Sequence, residues 1–166
     1  ISTIKFHIRF NVEKKFMELN NINIDRAIDA RILDPRLSGL KWISSGFPNN
    51  TKKELKLLKE IKEQIIQEKK NKIIISDYQI LPFITGNNKF APNKWFDDLS
   101  VPNKANSYFS FYKDFFLKKI KEENIETFFI VGGQKKNYIE RLYENKKCFD
   151  KTVINEISYK INISKC

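Results

Sequence analysis

The sequence predicts an α/β fold: a three-layer, open, mostly parallel (Rossmann-like) sheet with an N-terminal strand or hairpin. Three observations predict it. Ile73-Ile74-Ile75 and Thr127 to Val131 are short runs, apolar almost throughout, as strands buried on both faces are. Segments with helical spacing separate the strand-like runs, which gives the alternating order of a parallel sheet. The chain has 166 residues, 41% hydrophobic and 31% charged, enough for one α/β domain over 1–166 with a proper core.

Each element has its own reason. Ile4, Phe6, Ile8 and Phe10 alternate with Lys5, His7 and Arg9, the period of a half-buried strand, and Lys15 to Leu19 offers a partner for a hairpin. Ile24, Ala27, Ile28 and Ile32 carry helical spacing over Asn23 to Leu33, which Asp34-Pro35 ends. Leu40 to Ser44 reads as a short strand broken by Gly46-Phe47-Pro48. Thr51 and Glu54 have capping-box spacing ahead of Leu55, Leu58, Ile61 and Ile65, so a helix is expected to about Lys70. A strand follows over Lys72 to Asp77, then a long irregular segment from Pro82 to Lys104. A helix over Ser107 to Glu123 is expected to bury Tyr108, Phe111, Tyr112, Phe115, Phe116 and Ile120. After Thr127 to Val131 comes the turn Gly132-Gly133, then a helix over Lys135 to Asn145. A terminal strand alternates through Ile157, Tyr159, Ile161 and Ile163.

The charge needs its source weighed. The net charge is +11, with 26 Lys against 5 Arg. Lys, Ile and Asn, which codons of A and T alone can encode, make up 67 of the 166 residues, so coding bias accounts for much of the excess. Base and phosphate recognition favours the forked Arg guanidinium, which is scarce here. The longest apolar stretch, Ile73 to Thr85, is interrupted by Asp77 and Pro82, so no segment of this sequence spans a bilayer. The chain opens on Ile1 and has Met17 as its only methionine, which leads to the expectation of a piece cut from a larger protein.

Few residues are placed for catalysis. His7 is the only histidine, and Cys148, Cys166 and His7 are scattered, so neither a nucleophile–His arrangement nor a metal set is expected, and no cofactor. Asp25, Asp29 and Asp34 with Arg26, Arg31 and Arg36 read as surface pairs. The candidate ligand site is the segment Gly86 to Lys104. It follows Asp77 and Tyr78 at the carboxyl end of a strand, where open α/β sheets bind ligands. Lys94, Trp95, Phe96, Asp97 and Asp98 set aromatic faces beside carboxylates, a composition suited to a sugar. The same aromatics could equally staple the loop to the core. Gly132 and Gly133 stand at a strand-to-helix turn, where backbone N–H groups can cradle an anion, although neither the dinucleotide nor the P-loop pattern is present. Cys148 and Cys166 bracket the last strand and would form a disulfide in an oxidising compartment, worth about 3 kcal/mol.

Four stretches read together resemble a known family: Asn11 to Leu19; Ser38-Gly39-Leu40-Lys41-Trp42-Ile43; Ile75-Ser76-Asp77-Tyr78-Gln79; and Ala91-Pro92-Asn93-Lys94 through Pro102-Asn103-Lys104 to Tyr108. The chain is similar to the soluble C-terminal region of bacterial multi-pass membrane proteins of the dolichyl-phosphate-mannose glycosyltransferase-like type, which use lipid-linked sugars. The resemblance implies an accessory domain on the extracytoplasmic (periplasmic, if bacterial) face of the membrane. Its partners would be the transmembrane part of its own chain, a carbohydrate or lipid-linked sugar, and the nearby membrane surface. In that class the catalytic acids lie in the membrane-embedded part, so no residue here inherits a catalytic role.

The alternative from another class is a free-standing basic α/β module that binds nucleic acid or another polyanion. A small sugar- or nucleotide-transforming enzyme is a third reading. The scarcity of Arg argues against nucleic acid as the partner. Binding to duplex DNA at physiological salt should therefore be weak and should fall steeply as salt rises. A fluorescence-anisotropy titration showing a tight, sequence-selective complex at that salt would contradict this.

Overall fold

The computed structural model describes residues 2–8, 22–87, 89, 91–93, 96, 100–132, 137–143 and 148–163. The chain divides into two compact units, Ile1–Glu60 and Ile61–Cys166.

In the first unit, Ser2–His7 forms a short helix, α1, rather than a strand, and buries none of its residues. Ile4 and Phe6 alternate as a strand would. Alternation makes a strand only where a neighbour accepts the backbone groups, and here local helical bonds satisfy them. The expected partner, Lys15 to Leu19, lies outside the described residues.

The helix expected over Asn23 to Leu33 is absent, for a local reason. Asn23 Oδ1 accepts from the Asp25 N–H (3.0 Å), Asp29 Oδ1 from Arg31 (2.9 Å) and Asp34 Oδ1 from Arg36 (3.0 Å). These side-chain bonds compete with helical ones and cut the segment into three 3-10 turns, Ile24–Arg26, Ala30–Ile32 and Pro35–Leu37. Between the first two runs β1, Ile28–Asp29, which pairs antiparallel with β2, Lys41–Trp42. Asp34 is buried and forms a two-pronged ion pair with Arg36 (2.8 and 3.1 Å), so that pair is more than a surface contact.

Helix α2, Thr51–Gln67, runs across the boundary between the units. Its start differs from a capping box. Asn50 Oδ1 accepts from the Lys53 N–H (3.1 Å) and caps the first turn, while the Thr51 hydroxyl is buried without a hydrogen-bond partner. Glu54 is fully buried and accepts instead from Trp42 Nε1 (2.9 Å) and the Ser44 hydroxyl (2.7 Å).

The second unit is built on a four-stranded sheet. Its strands are β3 (Lys72–Ser76), β4 (Thr127–Val131), β5 (Phe149–Asn155) and β6 (Ser158–Ile163), in the order β3-β4-β6-β5. Only β3 and β4 are parallel; β4–β6 and β6–β5 are antiparallel. With the separate β1–β2 pair, this is a small α/β structure with a mixed, mostly antiparallel sheet. It is not the mostly parallel, three-layer Rossmann-like sheet that the sequence predicts.

The reason is β5. Its residues Asp150, Lys151, Thr152 and Val153 are exposed, the pattern of an edge strand, and they lack a continuous apolar signal. Asn155 Oδ1 accepts from the Ile157 N–H (3.2 Å) and the Ser158 hydroxyl (2.8 Å), which closes a tight hairpin. A strand that returns through so short a turn must run antiparallel.

Helices α3 (Ile80–Thr85), α4 (Phe109–Glu122) and α5 (Tyr138–Leu142) complete this unit. Its core gathers Ile73 and Ile75 of β3, Phe128 and Ile130 of β4, and Ile161 of β6 with Phe116, Ile120, Ile139 and Leu142 of the helices. The expected burial along α4 holds in part. Phe116 and Ile120 are buried and Tyr112 packs against the core, but Tyr108, Phe111 and Phe115 are exposed.

Removing the Glu54 carboxylate leaves two donors without their acceptor. Glu54→Ala should lower stability by about 2–4 kcal/mol, with a smaller loss for Glu54→Gln, which keeps one acceptor. Urea denaturation measures this, and a loss below about 1 kcal/mol for the alanine variant would contradict the assigned role.

Candidate functional site

The parallel pair β3–β4 ends at Ser76 and Val131, and the chain turns there into α3. The turn is held locally. The Asp77 N–H donates to the Val131 carbonyl (3.3 Å) and extends the ladder by one bond. The Tyr78 N–H donates to the Ser76 hydroxyl (2.9 Å), and Gln79 Nε2 donates to the Ser76 carbonyl (3.0 Å). Pro82 falls in the first turn of α3, where a missing N–H costs no helical bond. Gly86 closes the helix in the left-handed conformation (φ +65°), which a side chain would disfavour.

Beyond α3 the segment folds back. Asn87 Nδ2 donates to the Lys89 carbonyl (2.9 Å), Lys89 pairs with Glu123, and Asn93 Nδ2 donates to the Ser100 carbonyl (2.8 Å). Phe96 is half-buried against the core, edge-on to Phe116 at 6.4 Å and tilted against Tyr138 at 6.5 Å. Between this segment and the strand end lies a cleft of about 420 Å³. Ser76, Tyr78, Gln79, Lys89, Asn93 and Phe96 line it, over a floor that includes Ile74 and Ile75.

The cleft therefore joins two aromatic side chains to two amides, a hydroxyl and one ammonium. On α4, burial pushes the Tyr112 hydroxyl up to about 12, and Tyr112 packs on Phe116 at 6.1 Å. That phenol stays protonated at neutral pH and cannot serve as a base. Among the described residues no three His, Cys, Asp or Glu side chains cluster as metal ligands would.

The residues expected at the site divide as follows. Tyr78 and Phe96 both line the cleft. Asp77 is exposed and outside the lining. Gly132 is buried with φ 126°, a conformation suited to glycine, and its N–H donates to the Ile157 carbonyl (2.9 Å). That donor is engaged in the sheet and not directed at a ligand. Cys148 is buried and disulfide-bonded. Lys94, Trp95, Asp97, Asp98, Gly133 and Cys166 lie outside the described residues.

Sequence reasoning did not single out Ser76, Gln79, Lys89 or Asn93, although Lys89 and Asn93 fall inside the Gly86 to Lys104 segment it puts forward. For Ser76 and Gln79 a signal was present, since both lie within three residues of the strand end that ligands favour. Compared with family models, with curated proteins and with solved structures, the chain matches none.

Phe96 both lines the cleft and anchors its outer wall. Phe96→Ala should cost about 2–3 kcal/mol, less than a fully buried Phe because the ring is half-exposed. Thermal denaturation monitored by circular dichroism reads the loss, and an unchanged melting temperature would show that the ring is not an anchor.

Proposed function

We propose that the chain is an accessory, extracytoplasmic domain of a membrane glycosyltransferase-like protein, and that it holds a carbohydrate or the sugar of a lipid-linked donor in the cleft beyond β3. One observation carries the reading. The cleft sets the Tyr78 and Phe96 rings beside the Ser76 hydroxyl, the Gln79 and Asn93 amides and the Lys89 ammonium. Aromatic faces suit the C–H faces of a pyranose, and amides and hydroxyls suit its OH groups. Its one ammonium, paired with Glu123, suits a phosphate that takes the place of that carboxylate as the partner charge. Its position at the carboxyl end of a parallel strand, and the resemblance of the Ile75 to Gln79 and Ala91 to Tyr108 stretches, support the same reading.

The bond-making chemistry belongs in this reading to the membrane-embedded part of the protein, and this chain binds and orients. No residue of the cleft is assigned a bond-making step.

Isothermal titration with free hexoses and hexose 1-phosphates tests it. The chain should bind the phosphates more tightly than the free sugars. Lys89→Gln should lose that preference and keep the sugar affinity. Tyr78→Ala should weaken both by about tenfold, as loss of an aromatic contact does. No binding to any sugar, or variants that bind as the parent does, would overturn the proposal. Binding that follows anionic charge alone, equal for inorganic phosphate and heparin, would transfer the reading to a polyanion-binding module.

A further inference from the structure

Helix α4 presents an exposed aromatic face that the cleft does not use. Tyr108 at the helix entrance, Phe111 and Phe115 follow one another at three- and four-residue spacing, and so share a face. They are 70%, 74% and 46% exposed, while Phe116 and Ile120 on the opposite face are buried. Two phenylalanines held open to water on a well-formed helix are unfavourable unless something covers them.

The charges around this face identify what covers it. Lys118 and Lys119 continue the face one turn beyond Phe115, and both form ion pairs with Glu122, at 3.8 and 2.8 Å. Within Phe109–Glu122 there are four lysines and two carboxylates, and the chain as a whole carries +11. Long lysine stems beside aromatic rings are the composition of a helix that lies in a lipid interface, rings toward the acyl boundary and ammonium groups among the headgroups. A second copy fits less well, because two chains of +11 would repel as they approached.

The geometry points to the α4 face of Tyr108, Phe111 and Phe115, continued by Lys118 and Lys119, as a docking surface for an anionic bilayer. The aromatic rings supply the apolar contact that holds the helix in the interface plane. The lysines supply attraction to anionic headgroups, which salt screens. The proposal deepens the membrane-side placement proposed above and rests on it only for the presence of a bilayer; it does not depend on the cleft.

Vesicle co-sedimentation tests it, with phosphatidylcholine alone and with phosphatidylcholine mixed with phosphatidylglycerol. The chain should partition onto the anionic vesicles and only weakly onto the neutral ones, and raised salt should release it. Phe111→Ser with Phe115→Ser should lower partitioning by about tenfold or more with an unchanged melting temperature, since both rings are already exposed. Lys118→Gln with Lys119→Gln should lower it by about fivefold per residue and flatten the salt dependence. If the serine variant melts early, the glutamine pair decides alone.

Failure of the parent chain to bind anionic vesicles, equal binding to neutral ones, or binding by the glutamine pair equal to the parent's would overturn the proposal. So would a parent chain that is dimeric and a serine variant that is monomeric, without lipid binding. Titration with hexose phosphates on the same variants separates the two readings. Sugar binding kept while lipid binding never occurs overturns this proposal alone, and the reverse overturns the cleft alone.

Discussion

The pairing of β4 on both of its edges is the constraint on which the second unit depends. Thr127–Val131 is buried at every position and bonds β3 in parallel on one side and β6 antiparallel on the other. A strand buried on both faces cannot leave backbone N–H and C=O groups unpaired, because each orphan would cost a lost hydrogen bond with no water to replace it. Both neighbours are therefore required. The side chains reinforce them, with Phe128 and Ile130 packed beside Ile73, Ile75 and Ile161. Outward from this strand the structure grows more tolerant, ending in β5, whose exposed Asp150 and Lys151 discourage a further strand from adding at the edge.

The cleft is a consequence of the same arrangement. Two parallel strands end on one side, and the chain leaves β3 through a turn whose geometry Ser76 holds by accepting at its hydroxyl and its carbonyl. Whatever follows must cross back over the strand ends before it can reach α4 and then β4. The segment through Lys89, Asn93 and Phe96 does this, fastened by the Asn93–Ser100 bond and the Phe96–Phe116 contact. On the antiparallel side the hairpin closes tightly on Asn155 and Gly132 is bonded to Ile157. The end of the parallel pair thus borders a concave site, and that site carries the mixture of rings, amides and one ammonium on which the sugar-binding reading stands.

The parts of this fold that were legible in the sequence are those whose cause is local. The apolar runs of β3 and β4, the spacing of Leu55, Leu58, Ile61 and Ile65, and the alternation of β6 each declare themselves without reference to a neighbour. The sheet order does not, because it turns on β5, a polar edge strand held by a hairpin and not by burial. Alternation misled at α1, where no strand pairs with it among the described residues, and helical spacing misled over Asn23 to Leu33, where Asn23, Asp29 and Asp34 bond backbone N–H groups that a helix would need elsewhere. At the site, Tyr78 and Phe96 could be anticipated from their place after a buried strand. Lys89 and Asn93 lie inside the expected Gly86 to Lys104 segment but could not be singled out within it, since nothing in a polar side chain's identity tells whether it faces solvent or a cleft.

The central claim is that β4 lies between a parallel β3 and an antiparallel β6. Cross-strand nuclear Overhauser contacts on isotope-labelled chain test it most directly. Phe129 should show contacts to Ile74 in a parallel register on one side and to Lys160 in an antiparallel register on the other. Contacts that instead place β6 beside β3, or that run it parallel to β4, would contradict the account.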